Sequence, residues 1–172
     1  MSLSTNEIII DSILYNTKCE ADRRFIGLYE EKKLLTCFIN NNIPIQHISN
    51  DNQYSQYDFL ISKDNITYII ELKSRLGNIR NHTYELLSIS KIEKYKKICK
   101  SNNNTKCIFI FNHIDTDNNN SNDYYYYEVD FNQLDEIAFK HYTTYELSIK
   151  YIKPIEELIS ILKNNTNNID GL

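Results

Sequence analysis

The segment 57–73 constrains the fold more than any other part of the chain, because it encodes a hairpin of two apolar strands. Its sequence is YDFLISKDNITYIIELK. Two runs within it are rich in β-branched and aromatic residues, Tyr57–Ser62 and Ile66–Leu72, and such runs favour β-strands. Asp and Asn tolerate the positive φ angles of tight turns, so Asp64-Asn65 is predicted to form the two-residue turn between the strands.

The register of this hairpin places two carboxylates opposite each other. A two-residue turn pairs position 63 with position 66 and therefore Asp58 with Glu71, and directly opposed residues have β-carbons about 5 Å apart. Lys73 shares their sheet face, because side chains two positions apart on a strand point the same way. Opposed like charges destabilise a sheet, so we expect a cation between the carboxylates. The alternative is an exposed hairpin with a solvated ion cluster, but the apolar residues on both faces favour covered strands.

These three residue types suit one kind of chemistry. A hard cation such as Mg²⁺ takes oxygen ligands, often one or two carboxylates together with waters and phosphate oxygens. A bound divalent ion lowers the pKa of water and holds a phosphate for in-line attack, while a neighbouring lysine orients that water or stabilises developing charge. Asp58, Glu71 and Lys73 therefore point to metal-assisted hydrolysis of a phosphodiester bond.

Asp58, the apolar strand after the turn and Glu71-Leu72-Lys73 resemble the motif of the PD-(D/E)XK nuclease superfamily, which includes restriction enzymes, Holliday-junction resolvases and phage nucleases. The resemblance implies that Asp58 and Glu71 bind Mg²⁺ (or Mn²⁺) with help from the Leu72 carbonyl. It also implies a catalytic role for Lys73 and an α/β fold with a restriction-endonuclease-like core, a central mixed β-sheet flanked by helices. Tyr57 stands where the proline of the family's name would be, and many members lack that proline.

A helix is predicted before the hairpin. Thr17-x-x-Glu20 is a capping-box pattern, and the helix that it opens runs to about Ile39. At about 100° per residue, one sector of this helix is apolar and contains Ala21, Phe25, Leu28, Leu34, Leu35, Phe38 and Ile39. Glu31 lies inside that sector, and Glu30 points away from it.

Glu31 is a further candidate for the site, because a carboxylate on a core-facing stripe is costly unless it is paired or bound to metal. One interpretation is that it snorkels or pairs with Arg24 or Lys32. The other follows from the resemblance, since a glycine recurs four residues before a glutamate in the resolvase branch, as Gly27 and Glu31 do here. That branch implies a metal or water contact for Glu31.

Charge is unevenly distributed after the motif. Residues 73–106 carry nine Lys or Arg against two Glu, whereas residues 115–136 carry seven carboxylates and no Lys or Arg, within a chain of formal net charge −4. A basic face beside a metal site would attract a phosphate backbone through salt-sensitive contacts. A nucleic acid is therefore the expected partner, with DNA favoured over RNA.

The helix predicted at Ser88–Cys99 belongs to this basic stretch. Its surroundings resemble the region after the Glu-x-Lys motif in phage-type nucleases, in which a lysine points back to the active site. Lys94 is the matching position, with Lys91 as the alternative. The candidate nucleic-acid contacts are Arg75, Arg80, His82, Tyr84, Lys91 and Lys94. A surface or packing role is the alternative for each of them.

The length of 172 residues fits one domain with a real hydrophobic core. We expect a single nuclease domain with its core at about 17–131 and a C-terminal strand and helix extension at about 132–172. Neither an apolar run long enough to span a membrane nor a signal peptide is found. The four cysteines form no C-x-x-C pair and are predicted to be reduced and buried. These features predict an intracellular protein, in the cytoplasm or in the nucleus of a eukaryote or its virus.

The remaining elements are predicted from their patterns: strands at Cys107–Phe111 and Tyr124–Phe131, a helix at Gln133–His141, an extended segment at Tyr142–Ile152 and a helix at Pro154–Lys163. The four consecutive tyrosines that begin at Tyr124 lie on alternate faces of their strand, and packing is favoured over stacking on bases. His113 ends a strand and is a candidate to face the site, although a lone histidine is usually incidental.

The sequence therefore predicts a metal-dependent nuclease that hydrolyses phosphodiester bonds. Its centre would be Asp58, Glu71 and Lys73, with Glu31 and Lys94 in support. Three alternatives stay open: a catalytically inactive nucleic-acid-binding module of the same fold, an RNA-directed endonuclease of the cap-snatching branch, and a partner-binding protein that uses the polarised charge. The cap-snatching branch usually has a histidine on the first helix, and residues 19–39 contain none. Many relatives act as dimers, so a homodimer is a further expectation.

Overall fold

The computed structural model describes residues 7–10, 13–16, 18–48, 56–76, 79–115 and 121–163. Short 3₁₀ turns stand at Ile79–Asn81 and Ile149–Tyr151. The strands and helices of this part of the chain are, in order, β1 (Glu7–Ile10), β2 (Ile13–Asn16), α1 (Glu20–Asn40), β3 (Ile45–His47), β4 (Phe59–Lys63), β5 (Ile66–Leu76), β6 (Tyr84–Ser88), α2 (Ile89–Ser101), β7 (Thr105–Asp115), β8 (Ser121–Glu128), α3 (Leu134–Ile137), β9 (Ala138–Lys140), β10 (Thr144–Ser148), β11 (Lys153–Pro154) and α4 (Ile155–Lys163).

A mixed six-stranded sheet lies at the centre, in the order β11-β8-β7-β5-β4-β3. β5 and β7 run parallel, and the other neighbouring strands are antiparallel. β7 is buried from Cys107 to Ile114, and this continuous burial explains its apolar sequence, because a strand covered on both faces has no polar side. The covered central strands that the sequence predicted are confirmed.

Helices and a second sheet cover the two faces. α1 and α4 pack on one face, where the core includes Leu34, Phe38, Ile70, Ile110 and Leu158. α2 and the three-stranded sheet β6-β10-β9 cover the other face, where the core includes Ile69, Leu87, Ile92, Phe109 and Leu147. The predicted α/β architecture, with a central mixed sheet flanked by helices, is confirmed.

α1 has nearly the predicted extent, but its buried face only partly matches the predicted apolar sector. The buried residues, spaced by four, are Ile26, Glu30, Leu34 and Phe38. Members of the predicted apolar sector that are exposed include Phe25, Leu28 and Ile39. The predicted sector was wrong in part because the apolar side chain of Phe25 serves another contact, stacking on Tyr15 of β2 with ring centroids 4.6 Å apart.

Element boundaries also differ from the prediction, at the start of α1 and the end of α3 among others. The N-cap of α1 is Cys19, with no side-chain capping bond, so the capping box is wrong, and Thr17 itself lies outside the described residues. The helix predicted at Gln133–His141 is wrong after Ile137, where α3 ends. Residues 138–140 instead pair with β10 as strand β9, because backbone pairing with a neighbouring strand outweighs a local helical preference.

The C-terminal elements belong to the two layers that cover the central sheet. β10 pairs with β6, from Thr144 beside Ser88 to Ser148 beside Tyr84, and α4 contributes Leu158 to the core. The terminal helix is therefore confirmed, and the extended segment is confirmed as far as Ser148, after which Ile149–Tyr151 form a 3₁₀ turn. The division of the chain into a core at 17–131 and an extension at 132–172 stays a prediction.

Smaller predictions can also be compared with the fold. Tyr126 and Tyr127 are buried on opposite faces of β8, which confirms their packing role. All four cysteines are free, as expected, but Cys19 is exposed and only Cys107 is fully buried, so the predicted burial is wrong for Cys19. Within the described ranges, no helix has the length and apolar character that crossing a membrane requires.

Candidate active site

The hairpin of β4 and β5 has the predicted turn. Asp64 and Asn65 have φ angles of 50° and 62°, in the left-handed region that these two residue types tolerate. Lys63 pairs with Ile66 across them, as the two-residue turn requires. The register of the whole hairpin follows from this turn.

Asp58 lies at the end of this register, opposite Glu71. The pairing of β4 and β5 reaches Phe59 beside Ile70, so Asp58 is the next residue along. The Asp58 amide donates to the Ile70 carbonyl at 3.0 Å, and the Asp58 carboxylate accepts a hydrogen bond from the Leu72 N–H at 2.7 Å. These two bonds hold the Asp58 side chain on the strand that carries Glu71.

Glu71 is buried and held by three donors. Lys73, two residues along β5, places its Nζ 2.6 Å from Glu71 Oε1. Two side chains of α2 reach Glu71 Oε2: the Lys91 Nζ at 2.9 Å and the Tyr95 hydroxyl at 2.5 Å. The predicted grouping of Asp58, Glu71 and Lys73 is therefore present, and α2 adds two donors to it.

The electrostatics of the two carboxylates differ. Burial would raise the pKa of Glu71, but the ammonium groups of Lys73 and Lys91 outweigh it, so the pKa lies below its ordinary value. Burial, and then the charge of Glu71, raise the pKa of Asp58 to about 7, with a smaller contribution from Glu31. Burial and Glu71 also raise the pKa of the Tyr95 hydroxyl, which keeps it protonated as a donor. Glu71 is thus the ionised partner, and Asp58 is the carboxylate whose ionisation is disfavoured.

The lysine of α2 that reaches the site is Lys91, not Lys94. Lys91 and Tyr95 are one turn apart on the face of α2 that packs against the sheet, whereas Lys94 is exposed. The prediction that Lys94 points back to the site is therefore wrong, and the alternative is correct. The sequence contained a usable signal, since Lys91 precedes the tyrosine of the buried face by four residues.

Glu31 is paired with His47, a histidine that no sequence pattern singles out. Its Oε2 lies 2.6 Å from the Nε2 of His47 on β3. The His47 ring stacks on Phe59 at a centroid distance of 4.9 Å. Because Glu31 contributes to the raised pKa of Asp58, the pair stands near the site. No spacing pattern in the sequence links Glu31 to His47. The presence of a lone histidine on a short strand was the only feature that could have indicated the pair.

Glu30 was predicted to point away from the core and does the opposite. It is only 1% exposed and accepts hydrogen bonds from the Asn112 amide at 2.7 Å and the Tyr124 hydroxyl at 3.3 Å. Lys33 lies 3.3 Å from its second oxygen. A buried carboxylate is tolerated where such donors meet it. This network lies on the face covered by α1, across the sheet from Glu71.

The candidate nucleic-acid contacts lie around the end of β5 and on α2. Arg75 is on β5, on the face of Glu71 and Lys73, and Arg80 is exposed in the turn that follows. Tyr84 is exposed at the start of β6. His113, a candidate to face the site, is the register partner of Arg75 on the sheet face of Glu71, and it is buried 2.7 Å from Glu85.

A divalent metal is implied by the resemblance, and the donor types present fit it. Among the described residues, no three or more His, Cys, Asp or Glu side chains are grouped closely enough to hold a metal ion. Mg²⁺, however, is commonly bound through one or two carboxylates completed by water and phosphate oxygens. Asp58 and Glu71 supply two such carboxylates, and after burial the charge of Glu71 is the next cause of the raised pKa of Asp58.

The sheet order, the covering helices and the central hairpin define a restriction-endonuclease-like fold. The chain is similar to the solved structure of Hjc, a Holliday junction resolvase from the archaeal hyperthermophile Archaeoglobus fulgidus, with a TM-score of 0.54 and 12% sequence identity over 78% of this chain and 95% of that chain. The predicted resemblance is therefore confirmed at the level of the fold. No protein-family model matches the sequence, and no curated protein matches it.

Proposed function

We propose that this chain is a metal-dependent nuclease that hydrolyses phosphodiester bonds, with DNA favoured over RNA. The observation that carries the proposal is the grouping of Asp58, Glu71 and Lys73 on one face of the central hairpin, with Glu71 buried and paired to Lys73 at 2.6 Å. The fold supports it, because the similar protein is a resolvase of Holliday junctions, which are DNA.

Asp58 and Glu71 would hold Mg²⁺ or Mn²⁺, with the Leu72 carbonyl and Glu31 as further oxygen donors. When bound, the ion would lower the pKa of a water and neutralise phosphate charge. The protein itself keeps one of these carboxylate ligands ionised and correctly oriented. Lys73, Lys91 and Tyr95 hold the Glu71 carboxylate ionised and oriented, which a hard cation requires.

Lys73 is the proposed catalytic lysine. Its ammonium lies beside Glu71 and is partly exposed, so it can reach both a water near the carboxylates and a phosphate arriving from solvent. A positive charge fixed at that place stabilises negative charge as it develops on the phosphate. Lys91, which also contacts Glu71, takes the supporting role that the sequence assigned to Lys94.

The proposed nucleic-acid contacts are four surrounding basic residues, Arg75, Arg80, Lys91 and Lys94, together with Tyr84. The charges of the four basic residues would hold the phosphate backbone, and such binding weakens as salt rises. A homodimer and an intracellular location stay predictions, and sedimentation of the purified protein tests the first of them.

Cleavage assays test the function directly. Labelled single-stranded, duplex and branched DNA, and RNA, are incubated with Mg²⁺, Mn²⁺ or EDTA and with wild type or Lys73→Ala. Lys153→Ala is the matched control, because Lys153 is 60% exposed on the edge strand β11. Cutting that needs metal, disappears in Lys73→Ala and persists in Lys153→Ala supports the nuclease.

Other outcomes separate the alternatives. Binding of a nucleic acid without cutting by wild type favours the inactive binding module. Cutting of RNA alone favours the RNA-directed endonuclease. Absence of both binding and cutting refutes the proposed function.

A further inference from the structure

A buried polar cluster lies next to the catalytic residues and has no part in the function proposed above. Glu85 and His113 are each 1% exposed, and Glu85 Oε1 lies 2.7 Å from His113 Nε2. Within the described part of the chain, neither that oxygen nor either His113 ring nitrogen has a well-directed hydrogen bond. Burying a carboxylate and an imidazole with so few hydrogen bonds is costly, so the cluster calls for an explanation beyond packing.

The cluster is connected to solvent through Arg75. The Arg75 Nε lies 3.7 Å from the other oxygen of Glu85, and the Arg75 side chain is 35% exposed where that of Glu85 is 2% exposed. Its Nη1 donates to the Ser74 carbonyl at 3.3 Å. Among the described residues, none accepts a hydrogen bond from Nη2. The guanidinium is therefore anchored on one side and available on the other.

The position of Arg75 continues the active site. Glu71, Lys73 and Arg75 alternate along β5 and so share one sheet face. Two residues of a strand span about 6.6 Å, so Arg75 lies one such step beyond the catalytic lysine. His113 is its register partner on β7. A phosphate backbone that passes Lys73 along this face would meet Arg75 next.

We propose that Arg75 binds the phosphodiester next to the one that is cut, and that the buried Glu85–His113 pair is a positioning pair that holds the guanidinium in place. This inference rests on the proposed nuclease function. Arginine binds phosphate through two parallel hydrogen bonds when its planar group is correctly oriented. The Glu85 carboxylate, which is 1% exposed and lies 3.7 Å from Nε, would supply that orientation.

A double-mutant cycle tests the positioning role. Binding of a fluorescent DNA oligonucleotide is measured by anisotropy in EDTA, so that no cutting occurs, for wild type, Arg75→Gln, Glu85→Gln and the double variant. Arg75→Gln is expected to weaken binding about tenfold and to lower the salt dependence by about one phosphate contact. Lys153→Gln, which removes an equally positive but distant charge, is the matched control and is expected to change the affinity by less than about twofold.

The sign of the Glu85→Gln effect is decisive. Removing a negative charge strengthens DNA binding if only net charge matters, whereas loss of the positioning pair weakens it, by an expected threefold or more, about 0.7 kcal/mol. In the Arg75→Gln background, Glu85→Gln is expected to have no further effect. His113→Gln is a second variant of the pair, expected to act in the same direction, and thermal unfolding shows which variants are folded at the assay temperature.

Two results would overturn the inference: a folded Glu85→Gln or His113→Gln protein that binds DNA as tightly as wild type, or an equal loss whether or not Arg75 is present. The wild-type controls separate this failure from failure of the nuclease itself. If wild type binds and cuts DNA, only the positioning role is refuted. If wild type binds no nucleic acid, the proposed function fails and the inference fails with it.

Discussion

Replacing Asp58 by Asn removes one of the two facing carboxylates and keeps an oxygen that can accept the Leu72 N–H hydrogen bond. In the metal-free protein the pKa of Asp58 is raised to about 7, first by burial and then by Glu71. The folded state therefore binds more protons than the unfolded state between the ordinary pKa of 3.8 and about 7. The contribution of protonated Asp58 to the free energy of unfolding is therefore complete below pH 3.8 and is lost as the pH rises to about 7.

The size of the effect follows from the same values. At about 1.4 kcal/mol per pKa unit, the difference between 3.8 and about 7 makes the ionised Asp58 cost about 4 kcal/mol at pH 8. Relaxation of the neighbouring side chains reduces this cost. We therefore expect Asp58→Asn to be about 2–4 kcal/mol more stable than wild type at pH 8 and within about 1 kcal/mol of it at pH 4.

Urea unfolding in EDTA at several pH values between these limits measures the prediction. Asp64→Asn is the matched control, because Asp64 is exposed in the turn of the same hairpin at a φ angle of 50° that Asn also tolerates. Its stability should follow wild type at every pH. A stability difference for Asp58→Asn that is independent of pH, or a destabilised variant at pH 8, would refute the assignment of facing charges.

Adding metal should remove most of the stability difference between the two proteins at pH 8. A ligand present at a hundredfold excess over its Kd stabilises the folded state by about 2.7 kcal/mol. Wild type should gain this stability with Mg²⁺ or Mn²⁺, whereas Asp58→Asn should gain little, because it has lost one of two proposed carboxylate ligands. Equal stabilisation of both proteins would exclude Asp58 as a ligand.

The structure supports further predictions. Lys91→Met should lower kcat about a hundredfold and Lys94→Met less than about threefold, as measured by cleavage at saturating DNA, because of these two lysines only Lys91 contacts Glu71. Glu30→Ala should cost about 1–3 kcal/mol in urea unfolding, because it leaves the buried Asn112 amide without its acceptor. Phe38→Ala should cost about 3–5 kcal/mol in the same assay, since the ring is fully buried between α1 and the sheet. Equal losses of kcat for the two lysines, or unchanged stability in the other two variants, would contradict these assignments.

The class of fold and the centre of the candidate site were predictable from sequence for a local reason. A two-residue turn at Asp64-Asn65 sets the register of the hairpin, and that register alone brings Asp58 opposite Glu71. The side-chain alternation along β5 then places Lys73 on the same face. The apolar run of β7 likewise predicts a strand that is covered on both faces.

The contacts that complete the site were not predictable in this way, because they join distant parts of the chain. Glu31 and His47 are 16 residues apart, and Glu30 and Asn112 are 82 apart. No local period relates such residues, and only the packing of α1 on the sheet decides which of its two adjacent glutamates enters the core. A rotation of that helix by one residue would have exchanged their roles.

The sequence by itself therefore determined what short-range geometry controls: the hairpin, its register, and the facing carboxylates with their lysine. The tertiary structure alone decided the environment of those groups. The docking of α2 brought Lys91 and Tyr95 to Glu71, where they add to the effect of Lys73 in lowering the pKa of Glu71 and keeping it ionised. Register is set by one turn and alternation along a strand, whereas burial and charge pairing depend on how separate elements meet.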